Sequence, residues 1–169
     1  MRDLVLYSLL YCGAMRVFEV WLGRRNLRRL LARGGRLVED PSWVSMIALH
    51  SLWFVSMILE EHFRAPQLLG GVMPILFGSL FVLAECMRLL CIRTLGERWN
   101  VRVVVLDETP PVIRGPYRWL QHPNYLAALV MIGSLPLALG LYYTAILFVP
   151  LKLALLRQRI RIEDQALGR

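Results

Sequence analysis

The chain has 169 residues, 57% of them hydrophobic and 10% aromatic, with a formal net charge of +8. One domain accounts for that length, and apolar residues gathered into long blocks exclude an ordinary soluble domain in favour of an integral membrane protein. The positive charge is almost wholly arginine set beside those blocks, where it marks topology, so nucleic acid is not an expected partner.

Leu4 to Leu22 is the first apolar block. It carries Arg16 and Glu19, runs into Arg24-Arg25 and has no small-residue cleavage site, so it is expected to persist as a first span. Trp43 to Leu59 and Leu68 to Ile92 follow, and at about 1.5 Å per residue all three can cross a hydrocarbon core of about 30 Å. Pro123 to Leu139 and Leu141 to Leu156 are shorter and contain Pro136 and Pro150, which suits two short spans in a tight, kinked or partly re-entrant hairpin. The expected fold is an all-α integral membrane protein with five transmembrane helices, forming a single domain over 1–169 with no internal repeat.

The loops give an orientation. Arg24, Arg25, Arg28, Arg29, Arg33 and Arg36 lie between the first two spans, and Arg93, Arg98, Arg102, Arg114 and Arg118 follow the third. Arg157, Arg159 and Arg161 stand in the tail, whereas the turns at 60–67 and around Gly140 carry only Arg64. Arginine-rich loops stay in the cytoplasm, so the N-terminus is expected outside and the C-terminus inside the cell (inner) membrane.

Within the spans, Arg16/Glu19 and Glu85/Arg88 are each spaced to meet on one helix face. Two readings stand: self-neutralising pairs that tie helices together, or groups lining a site. His50 suits a hydrogen-bonded packing role, and Glu60, Glu61 and His62 suit solvated helix-end positions on the far side. Cys12, Cys86 and Cys91 form no Cys-x-x-Cys pair and read as small buried hydrophobes; no metal site is expected.

The richest segment is Arg114-Gly115-Pro116-Tyr117-Arg118-Trp119-Leu120-Gln121-His122-Pro123-Asn124-Tyr125. Gly115-Pro116 favours a turn, and Pro123 fits the first turn of the helix that follows. His122 and Asn124 then stand at a helix N-terminus, where free N–H groups favour an anion. Tyr117, Trp119 and Tyr125 offer faces to a flat ring or a cation. An interfacial aromatic belt with arginine anchors would have a similar content.

The order Gly115-Pro116-Tyr117-x-x-x-x-His122-Pro123-x-Tyr125 resembles the signature of the isoprenylcysteine carboxyl methyltransferase family, small membrane enzymes that use S-adenosylmethionine. Thr94-Leu95-Gly96-Glu97-Arg98-Trp99 resembles the segment before that signature. Arg159-Ile160-Arg161-Ile162-Glu163-Asp164-Gln165-Ala166-Leu167 resembles the family's Arg-x-x-x-Glu-(Glu/Asp)-x-x-Leu ending. The N-terminal half, with Glu19, Arg24-Arg25-Asn26, Gly34, His50 and Glu60, is similar to a bacterial branch near alkylpyrone O-methyltransferases, often found beside polyketide synthases.

The resemblance implies that Gly115, Tyr117, His122, Pro123, Asn124 and Tyr125 hold S-adenosylmethionine, with backbone contacts from the stretch ending at Val112. The motif-bearing half is then about 93–169. Arg159 and Glu163 are the catalytic candidates, Arg159 toward the acceptor's acidic group and Glu163 also toward the cofactor. One position departs from the family: Gln121 stands where arginine is usual, and a neutral amide cannot make the charged fork that guanidinium makes with a carboxylate.

The implied reaction is O-methylation of a lipophilic acceptor entering from the bilayer, either an alkylpyrone-type polyketide hydroxyl or a prenylcysteine-type carboxylate. Membrane lipids and a neighbouring polyketide synthase are the implied partners. An NADPH-dependent enzyme like the sterol reductases, which share a His-Pro-x-Tyr ending, and a non-catalytic membrane scaffold are the alternatives.

Overall fold

The computed structural model describes residues 2–64, 68, 70–106 and 109–167. Part of the turn expected at 60–67, namely 65–67, and residue 69 of the expected third span lie outside them.

Five α-helices carry the fold among these residues: α1 (Arg2–Ala32), α2 (Ser42–Arg64), α3 (Met73–Leu95), α4 (Pro123–Ala138) and α5 (Tyr142–Ala166). Three helical stretches, Arg2–Ala32, Ser42–Arg64 and Met73–Arg98, are long and apolar enough to cross a membrane, and α4 is a shorter apolar helix of 16 residues. Large side chains such as Val17, Val55, Leu83 and Ile146 are exposed around the bundle, as hydrocarbon rather than water requires.

α1 is longer than its apolar block. Its 31 residues reach about 46 Å, so the helix continues through the arginines that the sequence places in a loop. Arginine and leucine are good helix formers, and the chain turns only at Gly34, where φ is +83°. There Gly35 N donates to Leu30 O (2.9 Å) and Gly34 N to Leu31 O (3.1 Å), closing the helix end. α5 likewise runs on from its apolar block into the charged tail, without a break at Pro150.

The core joins α1, α2, α4 and α5 through Val5, Cys12, Leu49, Trp53, Met57, Ile132 and Phe148. Gly133 lets α4 close on α5, since a Cβ there would lie 2.8 Å from Val149 Cγ2. Gly140, at φ +74°, turns the chain between the two helices.

Charged groups tie the elements together in ways that correct two expectations, and a cysteine corrects a third. Arg16 Nη1 meets Glu19 Oε2 at 2.9 Å as the spacing predicts. Arg88, however, leaves Glu85 and crosses to Glu19 through Nε and Nη2, while Glu85 accepts from the Tyr11 hydroxyl at 2.9 Å. A fork on a facing helix gives the buried guanidinium two hydrogen bonds instead of a single contact along its own helix. Glu60 is not a solvated end: it accepts from Tyr143 N (3.0 Å) and from Thr144 N and Oγ1 (2.7 Å each), capping α5. Cys86 is exposed on α3, unlike Cys12 and Cys91.

His50 has the hydrogen bonds that a packing role needs, with Nδ1 2.6 Å from Met46 O and Nε2 3.3 Å from Lys152 Nζ. Lys152 is buried in α5 and was not apparent as an interior residue from the sequence.

Strands are present too, among the described residues as a two-residue ladder. β1 (Arg36–Leu37) pairs antiparallel with β2 (Val104–Val105), with Arg36 opposite Val105 and Leu37 opposite Val104. Val38 N donates to Val103 O at 3.0 Å, extending the tie between the end of α1 and the segment after α3.

Candidate functional site: a cavity where the α4 motif meets the α5 tail

Past Gly96, at φ +56°, the chain leaves α3 and crosses the extension of α1. Asn26 Nδ2 holds that crossing by donating to Trp99 O (2.7 Å) and Gly96 O (3.1 Å). Gly23 leaves room for it, since a Cβ there would lie 2.9 Å from Val101 Cγ2.

The motif then forms a 3-10 turn over Gly115–Arg118. Gly115 has φ +56°, and a Cβ would fall 2.7 Å from Thr94 Oγ1, so both backbone and space call for glycine. The turn docks Tyr117 beside Cys91 of α3. Burial first, and then Cys91, raise the Tyr117 hydroxyl above the ordinary tyrosine range, so it stays protonated.

Pro123 opens α4, and His122 occupies the capping position before it. The His122 carbonyl accepts from Tyr125 N (3.1 Å) and Leu126 N (3.2 Å), and its ring stacks on Tyr125 at 5.4 Å between centroids. The α5 tail closes on both side chains. His122 Nε2 lies 3.1 Å from Asp164 Oδ1, and the Tyr125 hydroxyl donates to Glu163 Oε2 at 2.5 Å.

These residues border a cavity of about 540 Å³. Of the sequence candidates, Val112, Tyr117, His122, Asn124, Tyr125 and Glu163 line it, together with Gln121. Gly115 and Pro123 act on its shape through the turn and the helix start.

Arg159 stands elsewhere. It is 5% exposed and lies behind Tyr125, off the cavity wall. Nε donates to the Tyr125 hydroxyl (3.1 Å), Nη2 to Val101 O (2.5 Å), and Nη1 pairs with Asp40 Oδ2 at 3.2 Å. The other oxygen of Asp40 accepts from Ser42 N (2.9 Å) and Ser42 Oγ (2.5 Å) at the start of α2. Sequence reasoning missed Asp40. Its one visible signal was a carboxylate two residues before Ser42 and the second apolar block.

Three buried polar atoms on residues of the cavity wall have no hydrogen-bond partner: Asn124 Oδ1, Trp99 Nε1 and Arg102 Nε. Each orphaned donor or acceptor costs about 1–3 kcal/mol, borne here beside a cavity whose lining mixes polar and apolar groups. Among the described residues, no group of three or more His, Cys, Asp or Glu is placed to hold a metal ion.

The sequence pattern of the isoprenylcysteine carboxyl methyltransferase (ICMT) family matches residues 75–169, from within α3 to the end of the chain. The chain belongs to this family. The matched region holds the turn, the α4 start and the tail that build the cavity, so ICMT membership assigns a methyltransferase to this membrane-helix scaffold. Two bacterial relatives extend the likeness into the N-terminal half. A Bacillus subtilis protein with the name Uncharacterized protein YpbQ is 30% identical over 152 residues, covering 90% of this chain and 89% of its own. A Haemophilus influenzae protein, named only as uncharacterized, is 24% identical over 162 residues, covering 92% and 90%. No solved structure gives a significant match.

Proposed function

We propose that this ICMT-family protein is an S-adenosylmethionine-dependent O-methyltransferase acting on a lipid-like acceptor. The observation that carries the reading is the cavity itself: Tyr117, His122, Asn124, Tyr125 and Glu163 converge on one space from three separate parts of the chain. When bound, S-adenosylmethionine supplies a methyl group made electrophilic by its sulfonium.

The residues present suit that ligand. The stacked His122 and Tyr125 rings and the buried Tyr117 offer aromatic surface to a heterocycle or a sulfonium. Asn124 adds a side-chain amide to the same lining. Glu163 contributes negative charge, and its hydrogen bond from Tyr125 fixes where that charge sits. Arg159 acts as a positioning residue: it holds Tyr125 and the 99–103 crossing in place, with its own charge met by Asp40.

In-line methyl transfer needs alignment and the exclusion of water more than it needs a covalent step. The acceptor would reach the cavity from the bilayer, and Tyr117, His122, Tyr125 and Glu163 would hold S-adenosylmethionine there with its methyl group available to the acceptor oxygen. Between the two acceptor classes, the geometry favours an enolic hydroxyl of the alkylpyrone type over a prenylcysteine carboxylate. Arg159 is already neutralised by Asp40, and position 121 is a neutral glutamine on the cavity wall, so the two positions from which the family resemblance would offer a cation to an acceptor carboxylate offer none. An enolic hydroxyl is acidic enough to ionise without a strong base. A polyketide synthase is then the class of enzyme that supplies the acceptor. The arginines flanking the spans support a cytoplasmic site at the cell (inner) membrane, with five crossings.

The test is mass spectrometry of lipid extracts from cells with and without the protein. The expected result is a lipophilic species heavier by one methylene that disappears in the His122→Ala variant. If that variant keeps the full effect in cells, a scaffolding role replaces the enzyme.

A further inference from the structure

The cavity is lined by charges of both signs. Glu163 borders it from α5, and Arg98 and Arg102 border it from the segment that follows α3. Several other arginines meet carboxylates: Arg16 and Arg88 meet Glu19, Arg159 meets Asp40, and Arg29 and Arg33 meet Glu97. Arg102 meets none among the described residues, and its Nε is buried without a hydrogen-bond partner. Arg98 has already given one donor to Pro110 O at 2.7 Å. Gln121 borders the same space with a neutral amide and supplies no charge.

Arg102 is also fixed in place. Its backbone N donates to Asn100 Oδ1 (2.9 Å), Asn100 Nδ2 donates to Gly23 O (3.3 Å), and the preceding carbonyl is held by Arg159. The guanidinium lies 5.1 Å from the centre of the Trp43 ring, which steadies it without neutralising it. A guanidinium held this way on the cavity border, facing no carboxylate among the described residues, is preorganised for a planar anion such as a carboxylate.

We propose that Arg102 binds the carboxylate of the amino-acid portion of S-adenosylmethionine, with Glu163 as the negative counterpart in the same cavity. The proposal rests on the donor reading above and adds the polarity with which the donor lies.

The experiment measures binding of S-adenosylmethionine and of decarboxylated S-adenosylmethionine to the full chain in detergent, for the wild type and for Arg102→Met, Arg102→Lys and Arg98→Met. A charged hydrogen bond is worth enough that the wild type should prefer the carboxylated ligand by about tenfold or more. Arg102→Met should lose about ten- to a hundredfold for S-adenosylmethionine while holding the decarboxylated ligand within about twofold. Arg102→Lys should keep part of the preference, which carries the test if the methionine variant fails to fold. Equal losses for both ligands in Arg102→Met show a structural role and overturn the proposal. So does a preference that survives in Arg102→Met, or one lost in Arg98→Met instead. A wild type that binds both ligands alike overturns the Arg102 assignment alone, whereas one that binds neither removes the donor reading and the assignment with it.

Discussion

At the scale of single residues, much depends on side chains that have one geometry available to them. Gly115 combines a positive φ with a neighbour 2.7 Å from any added Cβ. Gly115→Ala should therefore cost about 1–3 kcal/mol of stability, read as a lower melting temperature, and weaken ligand binding because the turn carries Tyr117. Thr94→Ala should recover only part of that loss, since it relieves the contact but leaves the backbone strain. Tyr117 gives a pH prediction. Its hydroxyl is held above the ordinary value of 10.0, so its contribution to stability is complete below that value and is lost as pH rises through and beyond it. Tyr117→Phe should flatten the fall in melting temperature above about pH 10, and an unchanged slope would count against a buried neutral phenol.

At the scale of elements, ion pairs between distant parts of the chain set the geometry. Asp40 links the start of α2 to Arg159 on α5, and Arg159 in turn steadies Tyr125 at the head of α4. Asp40→Asn leaves a buried guanidinium without its counter-charge. It should cost about 3–5 kcal/mol and reduce ligand affinity without touching the cavity wall, whereas Asp40→Glu should restore part of both. Glu60→Gln weakens the cap on α5 and should cost about 1 kcal/mol in thermal stability, leaving ligand affinity unchanged.

These two pairs also show what the sequence could and could not disclose. The five apolar blocks, the helix beginning at Pro123 and the tail glutamate were legible, because hydrophobic runs and turn residues act locally. The ordered motif brought His122, Tyr125 and Glu163 under one reading, and the structure sets all three on one cavity. Asp40, Glu60 and Lys152 were not legible in these roles. Each matters through a partner far away in the chain, and a carboxylate near a helix end looks the same whether it is solvated or caps a neighbour. The helical extension of α1 was hidden for another reason. Arginines that mark a cytoplasmic boundary are also good helix formers, so charge locates the membrane edge and says nothing about where the helix stops.

At the scale of the whole molecule, apolar helices hold a cavity of mixed polar and apolar lining at one end of the bundle. The buried Arg16–Glu19–Arg88 cluster ties α1 to α3, and the ladder of β1 with β2 ties the α1 extension to the segment that borders the cavity. The orientation can be read by labelling. In a background with Cys12, Cys86 and Cys91 replaced by serine, Arg28→Cys should react with an impermeant maleimide only from the cytoplasmic side, and Glu61→Cys only from the other. The central claim, that this ICMT-family cavity holds the methyl donor, is tested most directly by titrating S-adenosylmethionine into the detergent-purified protein in a calorimeter. The account predicts saturable heat for one site per chain, abolished in His122→Ala with the fold intact. Absence of saturable heat from a well-folded wild type would contradict it.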